Sequence, residues 1–268
     1  MVYSRFFLRL NKQRIKMYKY FSQLVFHSIL ILVLVSCGKN DLPDNKDYEF
    51  ELVRIIKLNV PEPSGLDLTF NKDGFWTVSD ENSTVYRLDK EGNILRSFKV
   101  KGIDLEGITV INEKTIAVLL ERTREVVLTD TLGKEMKRKK LDLKGDLNSG
   151  TEGITYDTVN EKFYIVNEKS PGMLIELDKN LNELSRTELK LAKDYSGIFY
   201  EKNNNVLWIL SDESKKILIT DKSGNLIEQY NTTIDQAEGI TLDYKNDRLY
   251  IVSDVKEELY EYRIIRNK

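Results

Sequence analysis

From residue 64 onward the chain repeats one unit five times, and this repetition constrains its fold more than any other feature. Each unit opens on a (Ser/Glu)-Gly-(Leu/Ile) tripeptide: Ser64-Gly65-Leu66, Glu106-Gly107-Ile108, Glu152-Gly153-Ile154, Ser196-Gly197-Ile198 and Glu238-Gly239-Ile240. The glycines at 65, 107, 153, 197 and 239 stand 42, 46, 44 and 42 residues apart, a period typical of β-propeller blades.

Within each unit a second apolar segment ends in a carboxylate, as in Phe75-Trp76-Thr77-Val78-Ser79-Asp80 and Leu207-Trp208-Ile209-Leu210-Ser211-Asp212. Aromatic and β-branched residues dominate these segments, as expected of buried strands. Trp76, Tyr164, Trp208 and Tyr250 occupy matching positions, which points to packing between neighbouring sheets rather than to a ligand platform. Third segments such as Val85 to Asp89 and Leu174 to Asp178 alternate with period two and read as half-buried strands.

Short Asp-initiated stretches follow the third segments: Asp89 to Asn93, Asp130 to Lys134, Asp178 to Asn182 and Asp221 to Asn225. Asp at the first position can accept from nearby backbone, and Gly or Asn near the end tolerates positive φ, so these are hairpin turns. An EF-hand reading of Asp178-x-Asn180-x-Asn182 fails, because Gly is required at its sixth position and Glu at its twelfth. Glu183 and Leu189 stand there instead.

Four units continue into an outer strand, but the fifth ends near Ile265 with no chain left to supply one. An unclaimed strand, Phe50 to Leu58, lies ahead of the first unit. Pairing it with Leu259 to Ile265 covers an otherwise open edge. The expected fold is therefore all-β, a five-bladed β-propeller whose last blade is closed by the N-terminal strand. Lys134 to Lys140, with five basic residues in seven, falls on an outer strand and reads as a solvated, edge-protecting surface.

The chain start resembles a secretory leader. Arg5, Arg9, Lys12, Arg14, Lys16 and Lys19 precede an apolar stretch from Leu24 to Val35, followed by Ser36-Cys37-Gly38. The stretch is shorter than the roughly 20 residues a membrane helix needs. Leu34-Val35-Ser36-Cys37 resembles a bacterial lipobox, so residues 1–36 are expected to be a lipoprotein signal peptide, whether translation starts at Met1 or Met17. Cys37 would carry lipid, residues 37–47 would form a flexible tether and residues 48–268 the propeller.

Removal of six basic residues with the leader leaves 35 basic against 43 acidic side chains, a net charge of −8. Such a balance argues against a nucleic-acid partner. Cys37 is the only cysteine and His27 the only histidine. The processed chain thus has no disulfide framework, no Ser-His-Asp or Cys-His pair and no imidazole-ligated zinc site.

In a propeller the first strand of each blade lines the channel and the second runs antiparallel to it. The start of one and the end of the other therefore emerge on the same face. That geometry places Glu106, Glu152 and Glu238, with Ser64 and Ser196, beside the strand-end acids Asp80, Glu121, Glu168, Asp212 and Asp254. Facing carboxylates are unfavourable without a cation or bound protons. An all-oxygen ring suits calcium better than a transition metal. The metal set expected from sequence is Glu106, Glu152, Glu238, Asp80, Asp212 and Asp254.

A leader ending at Cys37, a short tether and units that open on Glu-Gly-Ile and close on Ser-Asp or Asn-Glu resemble the SdiA-regulated family of bacterial envelope proteins, over Phe50 to Ile265. NHL-repeat and gluconolactonase-like propellers use similar strands. The resemblance implies a five-bladed propeller with a calcium site and no established activity. Its matching positions are Glu106, Glu152 and Glu238, while Ser64 and Ser196 depart from the pattern.

Two functions are expected from different classes. One is a lipid-anchored envelope module, placed at the outer membrane by Gly38-Lys39-Asn40-Asp41 after the lipidated cysteine, that binds calcium and a small-molecule or protein ligand at the channel mouth. The other is a calcium-dependent hydrolase of lactones or phosphoesters in which Glu152 or Glu106 serves as base.

Overall fold

The computed structural model describes residues 47–143 and 150–267. The leader, Cys37 and nearly all of the tether lie outside the described residues. Chain order gives β1 (Tyr48–Lys57) and then four strands per blade. Blade one is β2 (Pro63–Leu68), β3 (Gly74–Ser79), β4 (Thr84–Asp89) and β5 (Ile94–Lys99). Blade two is β6 (Leu105–Asn112), β7 (Thr115–Leu120), β8 (Glu125–Asp130) and β9 (Glu135–Lys140). Blade three is β10 (Thr151–Asp157), β11 (Lys162–Asn167), β12 (Met173–Asp178) and β13 (Glu183–Glu188). Blade four is β14 (Ile198–Glu201), β15 (Val206–Ser211), β16 (Lys216–Thr220) and β17 (Leu226–Asn231). Blade five takes β18 (Ala237–Asp243), β19 (Arg248–Ser253) and β20 (Glu258–Arg266) from the C-terminal end and β1 from the other.

All pairing within the five sheets is antiparallel, and β1 runs beside β20 from Tyr48 opposite Arg266 to Lys57 opposite Glu258. The first and last segments of the body are thus hydrogen-bonded to each other, as the unclaimed strand requires. The register slips once, between Leu52 and Arg54. A bulge of this kind twists an outer strand and discourages further pairing.

Apolar side chains collect in five separate cores between adjacent blades. Between blades two and three, for example, Ala117, Leu119 and Val126 meet Ile154, Phe163 and Ile175. The aromatic residues at matching positions are all buried, with Trp208 only 1% exposed. Trp208 packs across the blade boundary against Tyr48 and Phe50 of β1, at centroid separations of 5.4 and 6.0 Å. Burying side chains of this size contributes about 2–3 kcal/mol each, so closing the ring is an apolar event as well as a hydrogen-bonded one.

The glycine of each opening tripeptide stands against the backbone of the next blade. A Cβ on Gly65 would lie 2.7 Å from the Glu106 carbonyl oxygen, and one on Gly197 would lie 2.3 Å from that of Glu238. Gly239 closes the circle at 2.5 Å from the Ser64 carbonyl oxygen. Any side chain at these positions would push neighbouring blades apart, so the repeated glycine is set by crowding at the axis.

The Asp-initiated turns spend their carboxylates on backbone. Asp178 Oδ1 accepts from the N–H groups of Asn180 and Asn182, both at 2.8 Å. Asp89, Asp130 and Asp221 repeat the same pair of bonds. Gly92, Gly133 and Gly224 take positive φ in these turns, but in the third repeat the left-handed residue is Leu181, at 65°. Its side chain is fully buried in the core between blades two and three. Packing there compensates for a backbone conformation that a bulky residue otherwise avoids.

Candidate metal centre

The face where inner strands begin is shaped by a repeated bulge. Strand register slips across the opening residues of blades one, two, three and five: between Pro63 and Leu66, Leu105 and Gly107, Thr151 and Gly153, and Ala237 and Gly239. Bulges re-aim side chains, and here they bring Glu106, Glu152 and Glu238 into one cavity. The residue two places before each opener takes part as well. The carbonyls of Glu62, Asp104, Gly150 and Gln236 accept from the N–H groups of Asp80, Glu121, Glu168 and Asp254, at 3.4, 2.9, 2.9 and 3.1 Å. In blade four the side chain of Asp194 does this work and accepts from the N–H groups of Asp212 and Glu213 at 3.1 Å. These bonds hold the strand-end acids at the channel mouth.

The resulting cavity has a volume of about 270 Å³ and is lined by all six acids expected from sequence, together with Glu121, Glu168 and Asp194. Among the described residues, two acidic triads that share Glu121 converge at this face, one of them reaching Asp104 beyond the cavity lining. Ligand oxygens of Asp104, Glu106 and Glu121 lie within 4.8 Å of one another, as do those of Glu121, Glu152 and Glu168. Glu238, Asp80, Asp212 and Asp254 line the same cavity outside these triads. Sequence reasoning passed over Asp104 and Asp194. The signal that finds them is their position two residues ahead of the opener, which becomes informative once the bulge is seen.

The two serine openers serve their neighbours. Ser64 Oγ donates toward Glu106, 2.6 Å from Oε2 and 2.9 Å from the carbonyl oxygen. Ser196 Oγ donates to the Ala237 carbonyl at 2.6 Å. The ring therefore presents three glutamates, with the serines linking adjacent blades.

Basic groups reach only the rim. Lys215 pairs with Asp212 at 2.8 Å, and Lys169 bridges Glu168 and Glu213 at 2.7 and 3.0 Å. Arg122 pairs with Asp104. Among the described residues, no basic side chain and no hydrogen bond reaches the carboxylates of Glu152 or Glu238. Asp80 and Asp254 each hold a buried Oδ1 with no hydrogen-bond partner.

Ionisation reflects this imbalance. Glu106 is buried, whereas Glu152 and Glu238 keep part of their surface open to the cavity. All three are enclosed deeply enough that loss of solvation is the largest influence on their titration. It raises Glu106 and Glu152 well above the usual carboxylate range, with repulsion from neighbouring acids adding to the effect. Glu238 is raised to about 8 by burial and then by Asp254 and Asp212. Burial also lifts Glu121 and Asp80 to about 7 and Asp254 to about 6.

The donor set fits calcium. Every converging atom is a carboxylate oxygen, and oxygens on opposite sides of a calcium ion stand up to about 5 Å apart given bonds of ~2.3–2.6 Å. In each triad the ligand oxygens lie within 4.8 Å of one another, inside that limit.

The sequence model of the SdiA-regulated family matches residues 43–260. The chain belongs to the SdiA-regulated family. Among solved structures, it is similar to the glutaminyl cyclase of Myxococcus xanthus, at 15% identity and a TM-score of 0.66, over 82% of this chain and 97% of that one. A chain of a nidogen/laminin complex matches at 11% identity and a TM-score of 0.54, over 75% of this chain and 82% of its own. A luciferin-regenerating enzyme matches at 12% identity and a TM-score of 0.50, over 79% and 94%. At such identities the likeness establishes the propeller fold that this family member shares with them.

Proposed function

We propose that this SdiA-regulated propeller is a lipid-anchored protein of the cell envelope that binds calcium at its acidic mouth and acts there as a binding or scaffolding module. The observation that carries the reading is a cavity crowded with desolvated carboxylates whose deepest members have no basic partner among the described residues. Such a site has an electrostatic demand that a divalent cation meets. Glu121, Glu152 and Glu168 would hold the ion. Bound calcium would link blades two and three through charge and stiffen the mouth for a further ligand. Calorimetric titration with calcium should show saturable binding and a rise in Tm, both weakened at least tenfold in affinity by Glu152→Gln; no heat and no shift in the wild type would end this reading. Anchoring through Cys37 is tested by Cys37→Ala, which should move the protein from the outer-membrane to the soluble fraction.

A second reading, a calcium-dependent hydrolase of lactones or phosphoesters, draws on Asp80, which lies outside both triads and is held at about 7. Groups that titrate there serve well as acid or base at neutral pH. A lactone and phosphoester panel separates the two: calcium-dependent turnover abolished by Glu152→Gln favours the enzyme, and no turnover with calcium bound favours the module.

A further inference from the structure

The opposite mouth of the channel is the larger cavity, about 600 Å³ against 270 Å³, and its chemistry is of another kind. Its floor is polar but internally satisfied. Asp67 Oδ2 accepts from Thr109 Oγ1 at 3.0 Å and the Val110 N–H at 2.8 Å, and Oδ1 accepts from Thr241 Oγ1 at 3.1 Å. That carboxylate leaves little demand for a cation. The walls are the far ends of the inner strands, where Leu68, Val110, Tyr156, Phe199 and Leu242 present apolar and aromatic surface. Phe70 stands at the lip, 58% exposed.

Charge at this rim is arranged for an anion. Lys202 and Lys245 line the cavity and are exposed, and neither pairs with a carboxylate among the described residues. The acids nearby are already engaged. Glu201 accepts from the N–H groups of Asn203 and Asn204 at 2.6 and 3.0 Å, and Asp243 is held by Lys72 at 2.7 Å. An apolar, aromatic well of several hundred Å³ with a few converging polar groups is the usual form of a small-molecule site. The lining sets Lys72, Lys202 and Lys245 against Asp67 and Glu201, and this excess of positive charge over such a well favours a ligand with an apolar body and one negative end, since the body is drawn from water while the charge stays at the rim.

We propose that this mouth binds a small amphipathic carboxylate, an aryl or medium-chain acid, with its apolar part against Phe70, Tyr156 and Phe199 and its carboxylate between Lys202 and Lys245. The site is independent of the acidic mouth and of calcium. Calorimetry on the full-length chain with 3-phenylpropionate should show saturable one-site binding, and the neutral isostere 3-phenylpropanol should bind at least tenfold more weakly. The K202E/K245E double variant should lose at least tenfold in affinity, Phe70→Ala roughly fivefold, and Glu152→Gln none. Absence of saturable binding, equal affinity for acid and alcohol, or an unchanged double variant would each overturn the proposal. Both lysines are exposed, so the double variant should keep the wild-type circular dichroism; if it does not fold, the acid-against-alcohol comparison on the wild-type chain decides alone.

Discussion

The two mouths of one channel are built from opposite ends of the same five inner strands, yet they handle buried negative charge in opposite ways. Asp67, at the far end, is buried with three hydrogen bonds and is raised to about 6, burial raising it and the bonds holding it down. Glu152, near the acidic end, has no such bonds, and burial together with its acidic neighbours pushes it well above the usual range. The difference teaches that burial alone does not mark a ligand site. What marks it is burial without local compensation, because the missing partner must then come from outside the chain or from protons.

The harshest test of that contrast removes the ring on which both mouths depend. Truncation past Leu58 takes away β1, opens the edge of β20 and exposes Trp208; it should abolish cooperative unfolding and produce aggregates on size exclusion. A folded, monomeric truncation would mean the ring closes without the strand. Less severe is Gly197→Ala, whose methyl would meet the Glu238 carbonyl oxygen at 2.3 Å. Backbone cannot yield as a side-chain tip does, so a loss of about 3 kcal/mol in urea unfolding is expected. Gly107→Ala would meet Ile154 Cγ2 at 2.9 Å and the Glu152 carbonyl oxygen at 3.0 Å, a looser approach that should cost clearly less.

Titration distinguishes the mouths next. Glu238 moves from 4.5 unfolded to about 8 folded, and Asp80 from 3.8 to about 7. Across that window the folded protein holds more protons than the unfolded chain, so stability is greatest below the unfolded values and falls as pH rises through the folded ones. Without calcium, unfolding free energy should drop between pH 5 and pH 8 by an amount on the order of a few kcal/mol. Saturating calcium should flatten the decline, and a slope indifferent to calcium would place the titrating acids away from the ion.

The smallest effects compare single side chains. At pH 7.5 without calcium, Glu152→Gln replaces a carboxyl whose charged form burial and acidic neighbours disfavour in the folded state, and should raise stability by about 1 kcal/mol. Thr109→Val at the other mouth strips a donor from a satisfied carboxylate; it should lower stability by about 1 kcal/mol and push Asp67 above about 6. If both substitutions shift stability in the same direction, the mouths do not differ as described.

Much of the frame was legible before any coordinates. Openers about 44 residues apart, Asp-initiated turns and a spare strand ahead of Ser64 lead to five blades closed by β1, and the sheets have that order. The carboxylate lining was also legible, since alternation of strand direction dictates which ends share a face. The bulge at each opener was not, because register slips arise from competition between neighbouring blades for space at the axis. Asp104 and Asp194 carry no signal in the sequence alone for that reason, nor does the left-handed Leu181, in a turn whose Asn residues are the types that tolerate positive φ.

Sequence by itself determined the number of blades, the closing strand, the turn chemistry and the absence of histidine and thiol chemistry from the body, because periodicity and composition act along the chain. Only the tertiary structure decided which acids converge, which are compensated and which mouth is left with free lysines. Those outcomes depend on distances between groups that lie on different strands and blades, and on how far each is withdrawn from water. Coulomb interaction and solvation are functions of position in space, and no linear pattern encodes them.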